Sequence, residues 1–161
     1  MESKNQKAYK SKFNSIDEFG TNVGTELGLT EWNKMDQEKI NFFADLTEDR
    51  QWIHIDQERS EKESPYKTTI AHGFLMLSMC SKLMFESYEL HNVRMVINYG
   101  LDKVRFTNAT ASGSEYRGRV TLLEFHPNPN GAKYKLQVII ELKGQEKPAC
   151  IAEFLALAYK K

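Results

Sequence analysis

Asp49 and His54 stand five residues apart in the stretch Thr47-Glu48-Asp49-Arg50-Gln51-Trp52-Ile53-His54-Ile55-Asp56. A carboxylate and an imidazole that converge on one point can hold a water molecule and draw a proton from it. On a regular helix a five-residue step leaves two side chains about 140° apart, so this chemistry needs a chain that curls back between them. A second stretch, Ile70-Ala71-His72-Gly73-Phe74-Leu75, opens an apolar helical pattern. The first backbone N–H groups of a helix lack intrahelical partners and face incoming negative charge. Gly73 brings no side chain to obstruct them, so its N–H suits a carbonyl oxygen that gains charge as an enolate. Together these parts fit addition of water to an unsaturated thioester: hydroxyl to the β-carbon, a proton to the α-carbon, charge on the thioester oxygen. No metal or organic cofactor is required.

Each residue also has a plain structural explanation. Asp49 would serve as an exposed acid after a helix, His54 as a hydrogen-bonded core residue, and Gly73 as a helix start. A serine on a buried helix, such as Ser81, often bonds only the carbonyl of the preceding turn. His54, His72 and Asp56 make the two-histidine, one-carboxylate set that holds iron in some oxygenases. Such short co-occurrences arise readily by accident, so the reading adopted has no metal. His91 and His126 read as loop or surface residues, and Trp52 as a core plug. Lys103, Arg105, Arg117 and Arg119 could meet the phosphates of a coenzyme, but charges on alternate strand positions usually form a solvated face. Arg105 alone is kept as a candidate.

These residues need elements to position them. Asp36 can cap a helix in which Ile40, Phe43 and Ala44 recur at helical spacing and which should end near Thr47. Residues 48–68 read as a long, polar, irregular loop containing Pro65. The next helix, from His72 or Gly73 to about Tyr88, is apolar nearly all round and should be buried. Strands follow. Tyr134, Leu136, Val138, Ile140 and Leu142 alternate with more polar residues, and residues 149–159 are apolar on both faces apart from Glu153, as in a central strand. Asn130-Gly131 marks a turn between two strands. A short strand is expected near residues 25–29, and the first 15 residues read as a loose tail. The pattern is α+β: a curved antiparallel sheet wrapped around a central buried helix.

Composition limits the function classes. The 161 residues suit a single domain. The 22 basic and 22 acidic residues balance, which disfavours nucleic acid as a partner. Cys80 and Cys150 lie in apolar stretches with no C-x-x-C spacing and read as reduced, buried thiols. The Lys-rich N-terminus has no apolar core region, and no apolar run approaches the ~20 residues of a membrane span. A cytoplasmic protein without a membrane partner is expected.

The run D-x-Q-W-I-H-x-D, followed by A-H-G-F-L and then by residues 96–106, Val-Ile-Asn-Tyr-Gly-Leu-Asp-Lys-Val-Arg-Phe, resembles the MaoC-like dehydratases, with the NodN-like branch nearest. The resemblance runs from about Asp36 to the C-terminus. It implies a hot-dog fold over a single domain, residues 1–161. It also implies reversible hydration of a trans-2-enoyl thioester, carried by coenzyme A or an acyl-carrier protein, to the (R)-3-hydroxyacyl product. Asp49 and His54 match the catalytic aspartate and histidine of the signature G-D-x-N-P-hydrophobic-H. Gly73 matches the glycine whose N–H holds the thioester carbonyl, and Ser81 a serine that some members place near the site. Gln51, His72, Ser81 and Arg105 are the candidate substrate-binding residues. Glu48, Gln51 and Trp52 stand where the signature has glycine, asparagine and proline. They keep the catalytic pair and alter the shape and bulk of the loop. No cofactor and a homodimer are further implications. Two other functions compete: a hot-dog thioesterase, disfavoured because the helix carries only Glu86, near its far end, and a non-catalytic acyl-thioester binding module.

Overall fold

The computed structural model describes residues 6–161. Helix α5, Gly73–Ser87, buries Leu75, Met76, Cys80, Leu83, Met84 and Ser87. These positions recur at three- and four-residue steps, so they form one broad apolar face. The sheet around it runs in the order β4-β1-β2-β6-β7-β8-β5, with β3 also paired to β6. Its strands are β1 (Tyr9–Phe13), β2 (Glu26–Leu29), β3 (Asn33–Lys34), β4 (Tyr88–Leu90), β5 (Val93–Phe106), β6 (Glu115–Asn128), β7 (Gly131–Leu142) and β8 (Cys150–Lys160). Pairing is antiparallel except between β1 and β4. Helix α5 touches β4, β1, β2, β6, β7 and β8, so the sheet must curl around it.

Alternation sets the inner face. Ala132, Tyr134, Leu136, Val138, Ile140 and Leu142 of β7 are buried, as are Cys150, Ala152, Phe154, Ala156 and Ala158 of β8. Sheet and helix approach closely at two glycines: a Cβ at Gly118 would stand 2.7 Å from Cβ of Leu83, and one at Gly28 would run into the Ser87 backbone. β8 is paired on both sides, by β7 and β5, but its alternate residues are only half-buried.

Four expectations need correction. Tyr9–Phe13, expected within a loose tail, is strand β1, paired to β2 and β4; residues 1–5 lie outside the described residues. The expected loop over residues 48–68 holds two short helices, α3 (Trp52–Ile55) and α4 (Gln57–Glu63). Helix α5 is not buried all round, because Phe74 and Phe85 are 69% and 76% exposed on its outer side. Arg117, expected on a solvated face, is buried: its Nε donates to Glu141 at 2.7 Å and its Nη1 to the Gln6 carbonyl at 2.9 Å. Among the described residues no helix is long and apolar enough to cross a membrane.

Helix α1 spans Ile16–Gly20, and α2 spans Gln37–Thr47 with Asp36 accepting from the Lys39 N–H at 3.0 Å as its cap. α2 and α3 pack together, and α4 adjoins α3. The three carry the chain across the N-terminal end of α5.

Candidate active site

The chain curls back after α2 because Glu48 adopts a left-handed conformation, φ 61°. Asp49 follows with its side chain exposed. Three residues later α3 begins, and it carries His54 inward to 8% exposure. The carboxylate of Asp49 and a ring nitrogen each of His54 and His72 lie within 4.8 Å of one another. The five-residue spacing that a helix would have splayed is thus closed by the turn at Glu48.

His54 is oriented by its backbone neighbours. Its Nδ1 lies 2.7 Å from the Ile70 carbonyl oxygen. A carbonyl can only accept, so Nδ1 carries the proton and Nε2 presents a lone pair. Burial pushes the His54 pKa below its ordinary value; the hydrogen bond to Ile70 raises it, the His72 ring lowers it, and Asp49 raises it. At neutral pH the ring is therefore uncharged and able to accept a hydrogen bond from water.

His72 stands at the N-terminal cap of α5 without capping it through its side chain. Its ring lies flat on that of His54, with centroids 3.7 Å apart and planes at 25°. Its Nε2 reaches the Asp49 carbonyl at 3.0 Å. The helix therefore starts without a side-chain cap, and the N–H of Gly73 is left for an incoming acceptor. A Cβ on Gly73 would lie 2.9 Å from the Phe106 ring, so that close approach also requires glycine. Gly73 borders a hollow of about 410 Å³ lined by Tyr66, Ile70, Phe106, Thr107, Asn108 and Thr110 among others.

Asp49, His54, His72 and Gly73 are thus gathered at one end of α5. Gln51 is exposed at the start of α3 and makes no cap hydrogen bond through its side chain. Ser81 is two turns further along α5, about 12 Å at 1.5 Å per residue. It accepts from Asn98 at 3.4 Å and lines a separate hollow of about 450 Å³ with Met84, Phe85, Tyr88 and Ala156. Arg105 lies on β5 and donates to the neighbouring Val104 carbonyl at 2.8 Å. Neither is brought to the Asp49–His54 pair within this chain. Trp52 is half-buried with the Arg59 guanidinium 4.4 Å above its ring. His91 and His126 pair with Glu89 and Glu124 at the surface, at 3.2 and 3.3 Å.

The carboxylate beside the two histidines is Asp49, whereas Asp56 caps α4 by accepting from the Arg59 N–H at 2.9 Å. The set Asp49, His54 and His72 has the donor types of a metal site. Its geometry suits one poorly: stacked rings send their lone pairs side by side instead of toward one centre, and His72 Nε2 is already engaged with a carbonyl.

Sequence reasoning missed Gln37. Its Nε2 donates to the His54 carbonyl at 2.7 Å, and its Oε1 accepts from the buried Thr69 hydroxyl, tying α2 to α3 and to the segment before α5. The only sequence signal was its place beside the Asp36 cap, which says nothing of partners 17 and 32 residues away.

Comparison with known proteins matches the MaoC like domain family over residues 18–139. The 3-hydroxyacyl-thioester dehydratase Z of Mycobacterium tuberculosis is 39% identical over 142 residues, covering 88% of this chain and 93% of that one. Nodulation protein N of Rhizobium leguminosarum bv. viciae is 39% identical over 147 residues, covering 89% and 90%. An unliganded R-hydratase from Pseudomonas aeruginosa has the same hot-dog fold, with a TM-score of 0.73 at 19% identity over 91% of this chain and 86% of that one.

Proposed function

This chain belongs to the MaoC-like domain family, and we propose that its Asp49–His54 site adds water to a trans-2-enoyl thioester, or removes it from the (R)-3-hydroxyacyl thioester. The observation that carries this reading is the convergence of an exposed carboxylate and a buried, uncharged imidazole beside a helix start that has no side-chain cap.

In the hydration direction water sits between the Asp49 carboxylate and the His54 Nε2. His54 accepts one hydrogen bond and fixes the direction of the oxygen lone pair, while Asp49 takes the other proton as general base. The hydroxyl oxygen bonds to the β-carbon, and the electron pair of the double bond moves toward the thioester carbonyl. The N–H of Gly73 stabilises the oxygen as it becomes an enolate. The α-carbon then takes the proton that Asp49 has just received, so hydroxyl and proton arrive from one side. No cofactor takes part; coenzyme A or an acyl-carrier protein serves only as the thiol carrier.

We also propose that the chain acts as a homodimer in the cytoplasm. β5 ends the sheet, with Met95, Ile97, Tyr99 and Leu101 at least 41% exposed along it, and Phe74 and Phe85 stand out from α5. An apolar edge strand invites pairing, and a second copy related by a twofold axis would cover both features at once. Two free, buried cysteines fit a reducing compartment.

The thioesterase reading is weaker, because Glu86, the one acid on α5, is paired with Lys82 near the far end of the helix. The decisive test is purified protein with crotonyl-coenzyme A, followed by loss of the conjugated thioester absorbance, with Asp49→Asn and His54→Ala alongside. Loss of absorbance without free thiol, absent in both variants, supports the hydratase. Free thiol would replace it with the thioesterase. Binding of enoyl thioesters without turnover of any, free or carrier-bound, would make the chain a binding module. Chiral analysis of the product tests the (R) assignment.

A further inference from the structure

Among the described residues the side chain of His72 makes one hydrogen bond, from Nε2 to the Asp49 carbonyl oxygen at 3.0 Å. Because a carbonyl only accepts, Nε2 carries the proton and Nδ1 is a bare acceptor. That Nδ1 is buried and has no partner among the described residues. The whole side chain is 3% exposed, which removes it from direct contact with a substrate in the open site. Its ring is packed by Phe43, with centroids 5.0 Å apart, and lies flat against His54 at 3.7 Å.

A buried imidazole with one unsatisfied nitrogen is an unfavourable core residue; a leucine would fill similar space without that cost. What the imidazole supplies, and leucine cannot, is a rigid donor aimed at Asp49 and a flat face for His54. Asp49 needs such a hold. It follows the left-handed Glu48, its side chain is exposed, and its own N–H has only a long 3.4 Å bond to the Thr47 hydroxyl. His54 is fixed from the other side, by the Ile70 carbonyl and by Gln37.

Resting on the hydratase reading, we propose that His72 is a positioning residue. It holds the Asp49 main chain with its Nε2–H while its ring flanks His54, so one side chain sets the separation of the base from the group that orients the water. Because the reacting groups must meet a water molecule from two directions, a shift of about 1 Å at Asp49 is enough to lower turnover by about 100-fold without altering how the thioester binds.

The test compares His72→Leu with His72→Gln, whose amide nitrogen can take the place of Nε2, measuring kcat, KM and Tm with crotonyl-coenzyme A. The expected result is a fall in kcat of about 10- to 100-fold for His72→Leu, KM close to that of the wild type, and partial recovery of kcat in His72→Gln. Unchanged kcat in His72→Leu overturns the proposal while leaving the hydratase reading intact. So does a raised KM at constant kcat, which would mean that His72 touches the substrate. So does a loss of kcat that follows loss of Tm equally in both variants, which would mean that it serves folding alone. A wild type that turns over no thioester overturns the hydratase reading itself. The hold on Asp49 is read without turnover: an Nε2–H donated to the Asp49 carbonyl from a buried ring gives a slowly exchanging imidazole proton in the NMR spectrum, lost in both variants, and its absence from the wild type overturns the proposal.

Discussion

Nδ1 of His54 donates to the Ile70 carbonyl at 2.7 Å, and the Ile70 N–H returns a bond to the Ile53 carbonyl at 3.1 Å, so the ring and its acceptor are tied to each other's backbone. This exchange leaves Nε2 as the free acceptor, and burial holds the His54 pKa below its ordinary value. The sign follows. Protonation adds a proton to Nε2 and removes the acceptor that orients water, so kcat/KM should be flat through neutral pH and fall on the acid side, with an inflection below about 6.5. The stability contribution has the same direction. The unfolded chain takes up the proton first, so stability is full above the unfolded value and declines as pH falls from there toward the lower folded value. A pH–rate profile checks the first statement, and an acid inflection above the ordinary histidine value would refute it.

Glu48 occupies the left-handed position that ends α2, at φ 61°. A side chain is strained there by about 1 kcal/mol relative to glycine, the residue that most often closes helices in this conformation. Glu48→Gly should therefore stabilise the chain by about 1 kcal/mol, raising Tm by roughly 2–4 °C in thermal unfolding. Because the backbone conformation is kept, kcat should not change. A lower Tm would show that the Glu48 side chain holds the turn in some other way.

How far these elements were legible depends on where their stabilising partners lie. Helix α2 was readable because its signals are local: Asp36 at its cap, and Ile40 and Ala44 on one face. β7 announces itself by alternation. β1 does so only weakly, since Tyr-Lys-Ser-Lys-Phe gives the core Phe13 alone and is held as a strand by pairing with β2 and β4. α4 has no apolar period either; its polar residues are held by the Asp56 cap and by the pairs Arg59–Glu63 and Lys62–Glu58 at 2.9 and 2.6 Å. At the site, Asp49 and His54 stood out because their chemistry is written in side chains, and Gly73 because it opens an apolar helix with none. The hold of His72 on a backbone carbonyl 23 residues away was not, because any residue supplies a carbonyl.

Glu141 bridges two arginines, with Arg117 Nε at 2.7 Å and Arg119 Nε at 2.9 Å, and Arg119 also reaches Glu26 at 2.6 Å. Arg117 is only 2% exposed, so Glu141 contributes a carboxylate to a buried guanidinium. Breaking such a pair from one side costs about 3 kcal/mol or somewhat more. Glu141→Ala should lower the urea midpoint accordingly while leaving the KM for an enoyl thioester unchanged, since Glu141 lies on β7 and not on the segment that carries Asp49 and His54. A midpoint equal to that of the wild type would mean that the two arginines find other partners.

Gln37 supplies the last constraint on His54, and its two ends can be separated by mutation. The amide nitrogen donates to the His54 carbonyl at 2.7 Å and to Asn41 Oδ1 at 2.9 Å, while the amide oxygen accepts from Thr69, whose side chain is fully buried. Gln37→Ala removes both ends: Thr69 is left with an unsatisfied buried hydroxyl, at about 1–3 kcal/mol, and α3 loses its tie to α2. Gln37→Glu keeps an acceptor for Thr69 but turns an oxygen toward the His54 carbonyl, which repels it. If the tie to α3 is what places His54, Gln37→Glu should lose kcat by about 10-fold or more, comparably to Gln37→Ala, because a misplaced base partner is felt in the transition state. Its Thr69 contact, meanwhile, should leave it the more stable of the two. Measuring kcat and Tm on both variants decides the matter: a Gln37→Glu enzyme with undiminished kcat would show that the Ile70 carbonyl alone orients the imidazole.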